Sequence, residues 1–175
     1  MTAITSKVCI VGDFAVGKTS VAERFVNNQF SDKYLTTVGV KVDTKEIDLA
    51  ERGVQQKLII WDVAGTDRFG ATEFAYLRGA SGYIFVADGT RPLTIGSAQK
   101  LRDSIAERYG ISAAVLLLNK HDLGDRWDVS DKRIEDLKGE FGAVFLTSAK
   151  TGAEVEHALT HLANLIVDET LAGRG

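Results

Sequence analysis

Short runs of apolar residues recur along the chain, and each is followed by a loop and then by apolar positions at helical spacing. Five of these runs predict buried parallel strands, at residues 8–11, 58–61, 83–87, 115–118 and 143–146. Buried strands that alternate with amphipathic helices are typical of an α/β fold built on a parallel sheet. The hydrophobic pattern therefore predicts one sheet with helices on both of its faces.

The stretch from 40 to 49 has a different pattern. Val40, Val42 and Thr44, and then Ile47 and Leu49, alternate with charged residues, as in a half-exposed antiparallel edge strand. The charged positions are Lys41, Asp43, Lys45 and Asp48. Residues 51–53 form the expected turn into the strand at 58–61. With this edge strand, the chain is predicted to form a six-stranded, mostly parallel sheet.

A glycine-rich segment follows the first predicted strand. Residues 12–19 read G-D-F-A-V-G-K-T, a complete G-x-x-x-x-G-K-[ST] phosphate loop between a strand and a helical pattern. In such a loop the backbone N–H groups point at phosphate oxygens, Lys18 reaches the β- and γ-phosphates, and the Thr19 hydroxyl binds Mg²⁺. The segment therefore predicts a nucleotide-binding protein.

The third predicted strand ends in an acidic residue and is followed by a glycine. Residues 61–65 read W-D-V-A-G, and the Asp62 carboxylate is placed to hold a water of the Mg²⁺ ion. The Gly65 backbone N–H has no side chain to obstruct it and is expected to contact the terminal phosphate. Asp62 thus joins Thr19 in the predicted metal site.

Two further strand ends predict which base is bound. Residues 119–122 read N-K-H-D, and the Asp122 carboxylate can accept hydrogen bonds from both the N1–H and the N2 amine of guanine, which adenine lacks. A polar group left unpaired by the wrong ligand discriminates by up to about 10⁴–10⁵. Residues 147–150 read T-S-A-K, where the Ala149 N–H is placed to donate to guanine O6 and Lys150 to cover the ring or the ribose. The sequence therefore predicts a guanine nucleotide.

Composition limits the other possibilities. The 175 residues, 45% of them hydrophobic, suffice for one domain with a sizeable core, and a net charge of −3 offers no basic field to nucleic acid. The single cysteine, Cys9, lies in a predicted buried strand, which favours a reducing compartment. No apolar run approaches the ~20 residues of a membrane span, and the C-terminus carries no cysteine for a direct lipid anchor. We therefore expect a cytoplasmic monomer.

These motifs, each at a strand end and in this order, give the chain a family resemblance. From about residue 6 to 167 it resembles a Ras-superfamily small GTPase, most closely the Rab branch. Residues 34–40 (YLTTVGV) and 61–69 (WDVAGTDRF) match the positions of switch I and switch II, and 76–80 read YLRGA. The resemblance implies a P-loop NTPase fold, one small-GTPase domain over residues 1–175, Mg²⁺ as cofactor, and a switch between GTP and GDP.

The resemblance also implies residue roles. Thr37 would bind Mg²⁺ only when a γ-phosphate is present, and Phe30 would pack against the base. The implied catalytic residues are Lys18, Thr37, Gly65 and Thr66, and the implied metal-binding residues are Thr19, Thr37 and Asp62. The nucleotide-binding set is Asp13, Phe14, Ala15, Val16, Gly17, Lys18, Thr19, Ser20, Phe30, Tyr34, Thr37, Gly65, Asn119, Lys120, Asp122, Leu123, Ser148, Ala149 and Lys150.

Two residues depart from the family pattern near the γ-phosphate. Thr66 stands where the family usually has a glutamine that orients the attacking water, and its one-carbon stem is too short for that role. We therefore expect hydrolysis at or below the rate of Ras, about 3–5 × 10⁻⁴ s⁻¹. Phe14 replaces a usual glycine or serine, and its ring either crowds an arginine finger or turns outward. These departures favour one alternative, a GTP-binding module with negligible hydrolysis, whereas Asp122 argues against another, a P-loop ATPase or phosphotransferase.

The partners implied by the resemblance are an effector, an exchange factor and an activating protein, all bound through the switch regions. Rab proteins use three hydrophobic residues on this surface, and Val42, Trp61 and Tyr76 match them. Val42 replaces a usual phenylalanine, so the identity of the effector does not carry over.

Overall fold

The computed structural model describes residues 2–13, 15–26, 40–63 and 70–173, and the backbone of residues 34–35. The strands in this part of the chain are β1 (Thr2–Gly12), β2 (Tyr34–Leu35), β3 (Val40–Leu49), β4 (Val54–Val63), β5 (Gly82–Asp88), β6 (Ala114–Asn119) and β7 (Val144–Leu146). The α-helices are α1 (Lys18–Phe25), α2 (Ala71–Tyr76), α3 (Leu93–Tyr109), α4 (Asp131–Phe141) and α5 (Val155–Ala172). Short 3₁₀ turns lie at Ala50–Arg52 and Gly124–Arg126.

All of these strands form one sheet, in the order β2-β3-β4-β1-β5-β6-β7. Pairing is parallel from β4 through β7, while β3 is antiparallel to both β2 and β4. This confirms the predicted α/β fold with its mostly parallel sheet and one long antiparallel strand. The six predicted strands are present, and β2 is an addition that pairs with Lys41 and Val42. Two residues are too few to produce a periodic pattern in the sequence.

The sheet separates two hydrophobic layers. On one face, α1 and α5 pack their apolar side chains, such as Phe25 and Leu162, against the strands. On the other face, α2, α3 and α4 contribute residues such as Phe74 and Ile95. Central strands are therefore buried on both sides, which is why they read as continuous apolar runs rather than as alternating ones.

The alternation predicted along β3 needs one correction. The pattern places Asp43 among exposed polar positions, but the residue is 1% exposed and shares a strand face with buried Ile47 and Leu49. Side chains alternate strictly along a strand, so the apolar positions change faces between Thr44 and Ile47. Within the part of the chain that the structure describes, neither carboxylate oxygen of Asp43 has a hydrogen-bond partner.

The start of α3 and the turn between β3 and β4 lie where the sequence predicts them. Pro92 directly precedes α3, as its position before a helical pattern predicts. The turn between β3 and β4 passes through Ala50–Arg52 to Gly53, whose φ of 66° lies in the left-handed region that favours glycine. None of the described helices is both long and apolar enough to cross a membrane.

Candidate functional site

The phosphate loop connects the end of β1 to the start of α1 and packs against the end of β6. Gly17 has a φ of 102°, and a Cβ atom there would overlap the side-chain amide of Asn119. The Asn119 Nδ2 donates to the Val16 carbonyl at 3.0 Å. Glycine is therefore required at 17 both for the backbone conformation and for this close approach.

Lys18 is the buried cation of the loop. Its side chain is 7% exposed, and its Nζ donates to the Asp13 carbonyl at 3.0 Å. Burial lowers the pKa of Lys18, and the nearby Asp62 and Asp13 carboxylates offset only part of this shift. A partly desolvated ammonium that is held by a neutral carbonyl is well placed to bind a phosphate oxygen instead.

The two predicted metal-binding groups among the described residues are in contact. The Thr19 hydroxyl donates to Asp62 Oδ2 at 2.6 Å, and Asp62 is 5% exposed. Burial raises the pKa of Asp62, and the hydrogen bond from Thr19 and the charges of Lys18 and Lys41 offset only part of this shift. A hydroxyl and a carboxylate oxygen that converge at the mouth of a phosphate loop suit a hard cation such as Mg²⁺.

The base-recognition segments lie at the ends of β6 and β7 and are hydrogen-bonded to each other. The Ser148 hydroxyl donates to Asp122 Oδ1 at 2.8 Å. Asn119 Oδ1 accepts from the Thr147 hydroxyl and from the Ala149 backbone N–H, both at 3.2 Å. The N–H that we expect to meet guanine O6 therefore donates to Asn119 in this structure.

Lys120 is held by a carboxylate that the sequence patterns did not single out. Its Nζ lies 2.8 Å from Asp88 Oδ2 and also donates to the Ala15 carbonyl at 3.1 Å. Burial alone would raise the pKa of Asp88, but hydrogen bonds from Lys120, Thr90 and Arg91 outweigh it and lower the pKa to about 2. The only available signal was the position of Asp88 at the carboxyl end of β5, where ligand sites of α/β sheets lie.

A cavity of about 550 Å³ joins the phosphate loop to the base-recognition segments. Eight of its ten lining residues belong to the predicted nucleotide-binding set, and the other two, Glu23 and Arg24, were not predicted. The lining comprises Gly17, Ser20, Glu23, Arg24, Asn119, Lys120, Asp122, Leu123, Ala149 and Lys150. Glu23 and Arg24 are polar residues of α1, and no motif in the sequence marks them.

Some predicted site residues lie outside the described part of the chain. They are Phe14, Phe30, Thr37, Gly65 and Thr66, together with the side chain of Tyr34. Their roles stay predictions.

The three residues predicted to form the partner-binding surface come together. Val42 is the register partner of Trp61 in the β3–β4 pair, and the rings of Trp61 and Tyr76 lie 6.3 Å apart. Lys7 Nζ sits 3.8 Å from the centroid of the Trp61 ring, a cation–π contact. One face of the indole is therefore covered by a cation of the same chain.

Comparison with known proteins agrees with this geometry. The model of the Ras family matches residues 7–168. The chain is 36% identical to Ras-related protein Rab-8A of Pongo abelii over 174 residues, which cover 95% of this chain and 82% of the relative. It is 37% identical to human Ras-related protein Rab-8B, with 92% and 78% of the two chains covered. It is 35% identical to Ras-related protein Rab-13 of Bos taurus, with 92% and 79% covered.

Proposed function

The chain belongs to the Ras family of small GTPases and is Rab-like, and from this premise we propose a guanine-nucleotide switch with slow intrinsic GTP hydrolysis. The observation that carries the proposal is the convergence of three strand-end segments on one cavity. Gly17 and Ser20 come from the phosphate loop, Asp122 from the end of β6, and Ala149 from the end of β7. We assign residues 1–175 to one GTPase domain.

The phosphates would bind at the Lys18 end of the site. Lys18 exchanges the Asp13 carbonyl for the β- and γ-phosphate oxygens, which are stronger acceptors because they are charged. Thr19 and Asp62, which are in contact, would hold Mg²⁺, and Thr37 would join them in the GTP form. When bound, Mg²⁺ neutralises charge that develops on the β- and γ-oxygens.

The base would bind at the Asp122 end. Ser148 donates to one oxygen of Asp122 and fixes the carboxylate, which then accepts from the N1–H and the N2 amine of guanine. Lys150 covers the ring or the ribose, and Phe30 packs against the base. Adenine would leave the carboxylate without donors, which supports guanine specificity.

Hydrolysis requires a water in line with the bond between the γ-phosphorus and the bridging oxygen of GDP. Lys18 and the loop N–H groups, Gly65 included, stabilise the charge on the phosphates, so catalysis is mostly positioning. Thr66 is too short to orient that water. We therefore propose a rate at or below about 3–5 × 10⁻⁴ s⁻¹, the intrinsic rate of Ras with its glutamine.

Single-turnover hydrolysis by the purified protein tests this proposal. Thr66→Gln is expected to hydrolyse GTP faster than the wild type, whereas the matched variant Thr66→Ala is expected to keep the wild-type rate. A wild-type rate above about 10⁻² s⁻¹, the value for a GTPase with its own arginine finger, would contradict the role given to Thr66. Equal rates for wild type and Thr66→Gln would contradict it too.

The nucleotide that copurifies with the protein separates the switch from its alternative. Released GDP, identified by chromatography after denaturation, supports a protein that completes the cycle. Released GTP, together with hydrolysis below detection, supports a GTP-binding module that waits for a partner to supply catalytic groups.

A further inference from the structure

Arg24 of α1 joins two parts of the site that are far apart in the sequence. Its Nε donates to the Ala149 carbonyl at 3.1 Å, and its Nη2 donates to the Lys150 carbonyl at 2.6 Å. The rigid planar fork of the guanidinium thus holds two consecutive carbonyls. The same helix begins with Lys18 and Thr19, so Arg24 connects the phosphate-binding helix to the base-recognition loop.

The loop is shaped to receive this side chain. Gly152 has a φ of 85°, and a Cβ atom there would lie 3.5 Å from the Cδ, Cζ and Nε atoms of Arg24, which is van der Waals contact. The Gly152 N–H donates to the Ser148 carbonyl at 2.8 Å, and the Thr151 N–H donates to the Ser148 hydroxyl at 3.1 Å. The loop is therefore a closed turn, with the guanidinium packed on it.

Arg24 acts on the residue that we expect to contact the base. The carbonyl of Ala149 is held by Arg24, and its N–H by Asn119 Oδ1 at 3.2 Å. With both backbone groups held, the Ala149 peptide has little freedom to rotate, and a 6-oxo group in the cavity that Ala149, Asn119 and Arg24 all line would take the N–H from Asn119 Oδ1 or share it. Without Arg24, the loop keeps its internal turn but loses these two hydrogen bonds to α1.

We propose that Arg24 is a positioning residue for guanine recognition, which holds the Ala149 N–H in place for the 6-oxo group and so slows nucleotide release. This inference rests on the proposed guanine-nucleotide binding and deepens it. Asp122 reads the N1–H and the N2 amine, whereas Arg24 acts through Ala149 on position 6 of the base.

Nucleotide analogues altered at one position distinguish positioning from simple stabilisation. The probes are GDP, 6-thio-GDP, whose 6-position carries sulfur in place of oxygen, and IDP, which lacks the N2 amine. Affinities are measured by competition against a fluorescent GDP, and release rates by chasing that GDP with unlabelled nucleotide.

For Arg24→Ala, release of GDP is expected to be about tenfold faster, the effect of losing one to two net hydrogen bonds. The preference for GDP over 6-thio-GDP is expected to fall several-fold, because the 6-position is no longer read by a fixed donor. The preference for GDP over IDP is expected to stay at the wild-type value, because Asp122 is unchanged. Arg24→Lys, which keeps the charge but not the fork, is expected to lie between wild type and Arg24→Ala.

Arg52 offers a matched control at another place in the fold. Its guanidinium donates to the Asn164 carbonyl at 3.3 Å and to Asp168 Oδ1 at 2.7 Å, so Arg52→Ala removes a similar attachment away from the cavity. This variant is expected to lose stability and to keep wild-type release and selectivity.

The proposal is overturned if Arg24→Ala is less stable but retains the wild-type release rate and the wild-type ratio of GDP to 6-thio-GDP affinity. If Arg24→Ala does not fold, the same comparison is made with Arg24→Lys, and unchanged values overturn the proposal equally. A wild-type protein that binds ADP as tightly as GDP would instead refute the proposed guanine specificity, before any variant is compared.

Discussion

Asp88 organises the candidate site through a single buried charge. The side chain is 1% exposed, and its carboxylate accepts from Lys120 at 2.8 Å, from Arg91 at 3.0 Å and from Thr90 at 2.7 Å. Lys120 in turn reaches the Ala15 carbonyl of the phosphate loop. The end of β5, the N-K-H-D segment and the phosphate loop are thus joined by one network of ion pairs and hydrogen bonds.

Asp88→Asn is expected to lower the free energy of unfolding by about 1.5–3 kcal/mol at pH 7, because Lys120 and Arg91 lose their charged acceptor. The lowered pKa of about 2, against an ordinary value of 3.8, sets the pH dependence. The folded state binds the proton less tightly, so this stabilisation is complete above about pH 4 and disappears as the pH falls through 2.

Urea titrations of wild type and Asp88→Asn between pH 7 and pH 2.5 measure the difference. The gap between the two proteins is expected to narrow below pH 4. Asp136→Asn, which changes an exposed residue of α4, serves as the control and is expected to stay within about 0.5 kcal/mol of the wild type. A gap for Asp88→Asn that is small at pH 7, or that does not change with pH, would contradict the ionic network.

The second prediction for a single residue concerns Asp122 and the affinity for guanine nucleotides. Asp122→Asn exchanges one acceptor for a donor, so GDP affinity is expected to fall about 10²–10⁴-fold, while XDP, with a carbonyl in place of the N2 amine, gains a partner. Competition binding with GDP and XDP measures both effects. Asp125→Asn, in the same loop, is the control. Unchanged GDP affinity in Asp122→Asn would remove the basis for guanine specificity.

At the scale of elements, the glycines differ in whether the structure leaves room for a side chain. Apart from the nearby backbone of the same helix, no atom of the described residues lies within 4 Å of a Cβ atom built at Gly96 in α3 or at Gly139 in α4. A Cβ atom at Gly89, between β5 and α3, would overlap the ring of Trp127. That ring also packs edge-on against His121 of the N-K-H-D segment, with centroids 4.7 Å apart.

Gly96→Ala and Gly139→Ala are each expected to raise the free energy of unfolding by about 0.5–1 kcal/mol, because alanine loses less backbone entropy in a helix. Gly89→Ala is expected to be destabilising by about 1–3 kcal/mol, because Trp127 must move. Thermal unfolding of the three variants measures these changes. A Gly89→Ala protein as stable as the wild type would show that the turn does not depend on this contact.

At the scale of the whole molecule, the sheet register places the site. Asp88 pairs with Asn119 across β5 and β6, Ile10 pairs with Asp62 across β1 and β4, and Gly12 pairs with Val86 across β1 and β5. The carboxyl ends of β1, β4, β5 and β6 therefore lie at the same end of the sheet, where one ligand can contact residues from all four strands.

Nucleotide binding at this end of the sheet is expected to stabilise the whole fold. GDP with Mg²⁺ at one hundred times its dissociation constant adds about 2.7 kcal/mol, which for a chain of this size raises Tm by roughly 5–10 °C. ADP at the same concentration is expected to leave Tm unchanged, and a chelator of divalent cations is expected to reduce the shift that GDP produces. Equal shifts from ADP and GDP would contradict guanine specificity, and a GDP shift that the chelator leaves intact would contradict the Mg²⁺ site.

The sequence by itself determined the fold class, the phosphate loop and the segments at the ends of β4, β6 and β7. Each of these signals lies within a few consecutive residues, and local spacing is what decides a backbone conformation or an apolar face. Strands β5 and β6 and the second half of β1 followed for the same reason, since burial on both faces produces unbroken apolar runs, whereas the alternating first halves of β1 and β4 were not predicted.

Only the tertiary structure decided the contacts between distant segments. Arg24 meets Ala149 across 125 positions, and Asp88 meets Lys120 across two neighbouring strands. Asp43 is buried although it lies among charged residues. Such contacts depend on which strands are neighbours and on how the helices pack over them. Local periodicity contains no information about either, because it describes the face of one element and not what lies against that face.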